Sequence, residues 1–249
     1  MPASWFLIVV APFIGSFLGL VAIRLPGGAT IIGGRSHCDH CGRTLAARDL
    51  IPVLSWLWLR GRCRYCRAPI GLFALAIEFG AIAVAVTAVS EISGWLLWVS
   101  CAFGWGLLLL AAIDWRVQLL PDALSLPLLA AGLITAWFVS PDRLPLGHIV
   151  GAVGGFVTFV LIALIYRYLR GREGMGFGDA KLAAALGAWV SWEGLPSVVL
   201  LGSVMGLVLV LGRAVAGQGS QRGEAIPFGT FLAIGGWIVW LYGPLSGPI

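Results

Sequence analysis

Two aspartates stand where an apolar chain can least afford them. Asp114 closes a long hydrophobic run in Ile113-Asp114-Trp115-Arg116-Val117, and Asp179 opens another behind a glycine-rich turn, Gly174-Met175-Gly176-Phe177-Gly178-Asp179-Ala180-Lys181-Leu182. Only 11 of the 249 residues are acidic, and an ionisable group at membrane depth is costly enough to be read as functional by default. Two carboxylates brought together in a poorly solvated site cannot both ionise cheaply, so they share a proton. That is aspartyl protease chemistry. The ionised member takes a proton from water as it attacks a peptide carbonyl; the protonated member polarises that carbonyl and later helps protonate the leaving amine. Gly176 and Gly178 carry no Cβ, which reads as backbone access for an extended substrate strand rather than as capping.

Each acid also has a purely structural reading. Asp179 near a helix start suits an N-cap or first-turn position. Asp122, just after Pro121, fits the N-cap of the next helix as well as it fits catalysis. Asp114 gains nothing of this kind, because a helix C-terminus disfavours negative charge. Lys181, Asp122 and Glu78, the last of these inside an apolar run, are therefore read as supporting groups around an Asp114–Asp179 pair.

The elements that must position these groups are membrane helices. With 59% hydrophobic and 11% charged residues, the chain cannot hide its apolar side chains in one soluble core, and an all-α polytopic membrane protein is expected. Eight apolar runs, at about residues 4–23, 72–89, 94–113, 123–139, 146–166, 179–193, 195–212 and 226–243, suggest about eight transmembrane helices. The sixth is short and begins on Asp179, as if its first turn faced water or protein instead of lipid. The apolar N-terminus, without a basic stretch or a cleavage site, reads as a retained first span. The formal charge of +5 does not point to nucleic acid, since the basic residues collect between apolar runs. Fifteen of the 16 Lys and Arg fall on one side of the expected topology, and only Arg143 falls on the other. The positive-inside bias puts that side in the cytoplasm, with both termini opposite and with Asp114 and Asp179 at the cytoplasmic boundary. Three regions are expected: a first transmembrane helix (1–23), a cytoplasmic tetra-cysteine loop (24–71) and a membrane-embedded peptidase domain (72–249).

The loop carries Cys38-Asp39-His40-Cys41 and Cys63-Arg64-Tyr65-Cys66, two CxxC pairs with 21 residues between them. Four thiolates at this spacing close a tetrahedral zinc-ribbon-like site, and a structural metal suits a segment too small to fold on apolar mass alone. Disulfides are the competing reading, disfavoured by a reducing compartment. A redox CxxC lacks a βαβ context. His37 and His40 read as solvated, and Cys101 as a small buried side chain. A zinc enzyme acting through this loop is disfavoured because four protein ligands leave no open position. A proton-coupled transporter using boundary aspartates is the alternative of another class; no internal repeat supports it.

Several motifs together resemble the bacterial type IV prepilin leader peptidases, members of the GxGD class of membrane aspartyl proteases. They are Gly15-Ser16-Phe17-Leu18 followed by Arg24-Leu25-Pro26, the two CxxC pairs, Asp49-Leu50-Ile51-Pro52-Val53-Leu54-Ser55-Trp56, Asp114 to Asp122, Gly174 to Leu182, and Ile226-Pro227-Phe228-Gly229. They stand in family order over nearly the whole chain. The resemblance implies that Asp114 and Asp179 are catalytic. It also implies cleavage after a glycine, at the cytoplasmic face of the inner membrane, of type IV prepilins or type II secretion pseudopilins. In many members the same polypeptide then methylates the new N-terminus with S-adenosylmethionine. Gly19 and Ala74-Leu75 depart from the family's usual Asn and Tyr-Pro, both in or beside the region that the resemblance associates with methyl transfer.

Overall fold

The structure, a computed structural model, describes residues 2–28, 30, 35–140, 145–171, 176–217 and 226–245. Arg143, Gly174 and Met175, together with Arg172 and Arg222 of the fifteen basic residues counted on one side, lie outside the described residues. In lipid only a helix or a closed barrel satisfies its own backbone. The described residues are accordingly helical, with two isolated bridges and no strand. In chain order the helices are α1 (Pro2–Arg24), α2 (Leu54–Trp58), α3 (Leu72–Glu91), α4 (Trp95–Val117), α5 (Asp122–Val139), α6 (Leu146–Arg170), α7 (Phe177–Val215) and α8 (Phe228–Tyr242). All but α2 and α8 are long and apolar enough to cross a membrane, and α8 is a shorter apolar helix of 15 residues. The chain is an all-α polytopic membrane protein.

The 39 residues of α7 rise ~58 Å at 1.5 Å each, about twice the ~30 Å hydrocarbon core, which is too long for one span. Its backbone is broken at Ser191, where φ 64° and ψ 172° are not helical. The arms 177–190 and 192–215 correspond to the sixth and seventh apolar runs, so the described chain contains eight apolar helical segments.

The chain divides into two compact units, Met1–Ala112 and Ile113–Ile249. In the first, α1 packs on α3 through Gly15, where a Cβ would stand 2.7 Å from the Glu78 Cα. Trp105 Nε1 donates to the Ala81 carbonyl at 3.1 Å, tying α4 to α3. In the second unit, small residues let helix backbones touch, the usual device where lipid supplies no hydrophobic drive between helices. A Cβ on Gly187 of α7 would come 2.2 Å from the Gly151 carbonyl oxygen of α6. Two polar side chains pin the same bundle. Trp189 Nε1 donates to the Leu128 carbonyl at 2.8 Å, and His148 Nδ1 is 3.0 Å from the Ala188 carbonyl oxygen. His148 thus joins α6 to α7.

Candidate active site

Asp114 lies in the last turn of α4 and is 4% exposed. Its Oδ2 accepts two hydrogen bonds from Thr230, one from the backbone N–H at 2.7 Å and one from the hydroxyl at 3.0 Å. Thr230 is in the first turn of α8, behind Pro227 as N-cap. A helix N-terminus presents free N–H donors and partial positive charge, so it is a ready seat for a carboxylate. The approach requires glycine at 229, because a Cβ there would stand 3.1 Å from both Cγ and Oδ2 of Asp114. Trp115 meets Phe231 edge-on at 6.5 Å, which packs the end of α4 against the same turn of α8.

Asp179 is the third residue of α7 and is half-buried. It lies close enough to Asp114 for the two carboxylates to act on each other electrostatically. One apolar side chain joins their settings. A Cβ on Gly178, the residue before Asp179, would meet Leu120 Cβ at 2.9 Å, and a Cβ on Gly229 would meet Leu120 Cδ1 at 2.9 Å. The buried Leu120 therefore packs against the backbones of α7 and α8 next to the two acidic positions. Two acids with 64 residues between them are brought to one place by the end of α4 and the starts of α7 and α8.

The glycines read as substrate access have other roles. Gly176 is the N-cap of α7 and accepts the Asp179 N–H at 3.2 Å, while Gly178 is small because Leu120 occupies the space of a side chain. Asp122 is not an N-cap either: Pro121 holds that position, and Asp122 is the first residue of α5. Its Oδ1 is 2.6 Å from Lys181 Nζ, in an ion pair whose lysine is half-buried and whose aspartate is exposed. This bond ties the start of α5 to the first turn of α7, two residues past Asp179. Glu78 belongs to the other unit, where its buried carboxylate accepts the Val53 N–H at 2.7 Å and a hydrogen bond from Ser16. Thr230, Gly229 and Leu120 were not singled out from the sequence. Gly229 and Leu120 lie inside quoted runs, Ile226 to Gly229 and Asp114 to Asp122, without a role of their own, and Thr230 follows the first of these.

The four cysteines come together as their spacing suggested. The two CxxC turns are built alike: Cys38 N–H bonds the Arg43 carbonyl and Gly42 N–H the Cys38 carbonyl, matched by Cys63 to Ala68 and Arg67 to Cys63. The fifth residue of each turn takes a left-handed conformation, Gly42 at φ 66° and Arg67 at φ 58°. All four Sγ atoms lie within 4.8 Å of one another, and Cys38 and Cys66 are 3.8 Å apart. That exceeds the ~2.05 Å of a disulfide and fits the ~3.8 Å edge of a tetrahedron around an ion bound at ~2.3 Å. The donor set therefore suits a soft metal ion. The Cys66 and Tyr65 N–H groups bring the Cys63 thiol down to about 7. Cys66 is pushed up to about 11: the Ala68 N–H acts against this, but desolvation and the neighbouring thiols prevail. Arg43 lies 4.5 Å over the Tyr65 ring, joining the two turns, and Arg64 pairs with Asp49 at 2.5 Å. His37 and His40 are exposed, and Cys101 is fully buried.

A multi-pass helical membrane protein with two neighbouring carboxylates at helix ends and a tetra-cysteine module is the class that fold and site define. Comparison with known proteins narrows it. Residues 9–92 match the bacterial peptidase A24 N-terminal domain, and residues 101–211 match the type IV leader peptidase family. The chain is 42% identical over 217 residues to a prepilin leader peptidase/N-methyltransferase of Aeromonas hydrophila, covering 84% of this chain and 72% of that one. It is 40% identical over 271 residues to the protein of that name from Burkholderia pseudomallei, covering 96% and 85%. The Pectobacterium carotovorum relative of that name is 35% identical over 269 residues, covering 94% and 92%. No solved structure gives a significant match. The chain belongs to the type IV leader peptidase family.

Proposed function

We propose that this protein is a membrane aspartyl endopeptidase that removes the leader peptides of type IV prepilins or type II secretion pseudopilins after a glycine, with Asp114 and Asp179 as its catalytic pair. The observation that carries the reading is the convergence of these two carboxylates, from helices distant in sequence, beside the start of α8. Asp114 is fixed in position by its two bonds from Thr230, whereas half-buried Asp179 is the more open to an incoming water and peptide. With one proton between them, one carboxylate activates the water while the other supports the carbonyl and returns a proton to the leaving amine. Reaction at the cytoplasmic side of the inner membrane is supported by the basic residues, 15 of 16 on the side of both aspartates in the expected topology.

The shared name of the relatives supports a second activity, methylation of the new N-terminus, for which S-adenosylmethionine would supply the methyl group. Zinc is the metal best suited to the four thiolates of Cys38, Cys41, Cys63 and Cys66. With all four positions filled by protein, its role is to cross-link the module. Incubating the purified chain with a candidate prepilin, with and without S-adenosylmethionine, and reading the product mass tests both activities. Loss of the leader mass is the expected result, with one added methyl when the donor is present; an intact prepilin contradicts the peptidase reading.

A further inference from the structure

The tetra-cysteine module turns apolar side chains outward. In α2, Leu54, Leu57 and Trp58 share one side by their i, i+3, i+4 spacing and are 64%, 54% and 86% exposed. Ser55 and Trp56 are more buried, and the Trp56 ring packs where a Cβ on Gly61 would be. Leu50 and Ile51, just before the helix, are exposed too. Such a pattern is inverted for a helix lying in water.

The hydrogen bonds show where this helix lies. The Val53 N–H, at the start of α2, donates to Glu78 Oε2 at 2.7 Å, and the Ile70 N–H donates to the Gly61 carbonyl, just past its end, at 2.7 Å. Glu78 is the seventh residue of α3, ~9 Å along the axis from the first, and its side chain leans back towards the helix start. Ile70 stands two residues before α3 begins. Both ends of α2 are thus held beside the first two turns of a helix able to cross the membrane. Val53 takes φ 61°, ψ −54°, a costly conformation for a β-branched residue, and the Glu78 carboxylate fixes it there.

Charge identifies the occupant. Residues 24–71 contain eight arginines and two aspartates, and Arg60, Arg62 and Arg67, which follow α2, are exposed. Acyl chains accept Leu and Trp at the boundary, and anionic headgroups accept guanidinium groups. A basic peptide would be repelled by the same arginines. We infer that α2 is an interfacial helix, with Leu54, Leu57 and Trp58 inserted at the edge of the acyl layer and Arg60, Arg62 and Arg67 on anionic lipid headgroups, so that the tetra-cysteine module is docked on the bilayer.

The test uses the full chain in vesicles of phosphatidylethanolamine and phosphatidylglycerol, with the photoreactive residue p-benzoylphenylalanine at position 58. Position 79, an exposed phenylalanine of α3, is the positive control, and exposed position 40 of the first CxxC turn is the negative one. The expected result is a lipid adduct at 58 with a yield close to that at 79 and several-fold above that at 40. A yield at 58 as low as at 40, or cross-linking of 58 to protein, overturns the assignment. Replacing phosphatidylglycerol by phosphatidylcholine should lower the yield at 58 several-fold and leave 79 unchanged; an unaltered yield at 58 removes the anionic headgroups from the proposal. The unsubstituted chain provides a second reading. Hydrogen exchange over residues 54–60 should be about tenfold slower in nanodiscs containing phosphatidylglycerol than in phosphatidylcholine alone, a factor equal to ~1.4 kcal/mol, and equal exchange in the two likewise removes the anionic headgroups from the proposal.

Discussion

Replacing Gly229 by alanine places one methyl group against the carboxylate on which the chemistry depends. The new Cβ would stand 2.9 Å from Leu120 Cδ1 and 3.1 Å from Cγ and Oδ2 of Asp114, where ordinary contact begins at 3.4 Å. The leucine methyl can swing away. The carboxylate must retreat by about 0.3 Å, the difference between 3.4 and 3.1 Å, and it can do so only by disturbing its two bonds to Thr230. Overpacking costs ~1–3 kcal/mol, and alanine in a helix returns ~1 kcal/mol relative to glycine, so the net loss of stability is about 0–2 kcal/mol. A hydrogen bond to a charged group contributes ~1.5–3 kcal/mol, so losing one in the transition state lowers kcat by roughly ten- to a hundredfold. Gly154→Ala, with open space around its Cβ, is the matched control. Single-turnover cleavage of a prepilin and thermal unfolding in detergent should be measured on both variants. The expected signature is a large fall in rate for Gly229→Ala with little change in Tm, and no fall for Gly154→Ala. An unchanged rate for Gly229→Ala, or a fall that only tracks the folded fraction, would refute the reasoning.

At the next residue, Thr230→Val should lower the cleavage rate about tenfold by removing one donor to Asp114, and Thr230→Ser should retain most of it; equal rates for the two would remove the hydroxyl from the site. Asp122→Asn and Lys181→Gln should each cost up to about fivefold in rate, the scale of an exposed ion pair of ~1 kcal/mol. The charge-reversed double variant, Asp122→Lys with Lys181→Asp, should recover part of that loss in kcat with KM unchanged; a double variant worse than either single would show that the bond does not position Asp179. Metal analysis should find about one zinc per wild-type chain and much less in Cys38→Ser. Backbone N–H groups bring Cys63 down to about 7 while desolvation and neighbouring thiols push Cys66 up to about 11, so protons compete with the ion for the thiolates across this range. Zinc occupancy at limiting ion should therefore fall as pH is lowered, and a flat profile would contradict thiolate ligation.

Much of this architecture could be read from residue types. Apolar runs mark membrane helices because lipid forces the backbone to satisfy itself, and a broken backbone at Ser191 divides the one helix too long for a single span. Asp114 and Asp179 stood out because a carboxylate in an apolar run has no cheap explanation. The CxxC spacing indicated a joint role because two like turns bring four sulfurs together. Other features left no sequence signal. A threonine in an apolar helix is unremarkable until its N–H and hydroxyl are seen on Asp114. The Lys181–Asp122 pair spans 59 positions, beyond the reach of any local rule. Gly178 looked like room for a substrate because Leu120, which occupies that space, lies far away along the chain. With only five residues, α2 is too short for a periodic pattern to reveal.

The most direct test of the paired-carboxylate account is the single-turnover cleavage rate of one prepilin by Asp114→Asn, Asp179→Asn and the double variant, each shown to be folded and inserted. Groups that act as a unit do not contribute additively. Each single substitution is expected to reduce cleavage to the uncatalysed background, and the double to reduce it no further. Measurable cleavage by either single variant, or partial losses that multiply in the double, would contradict the account.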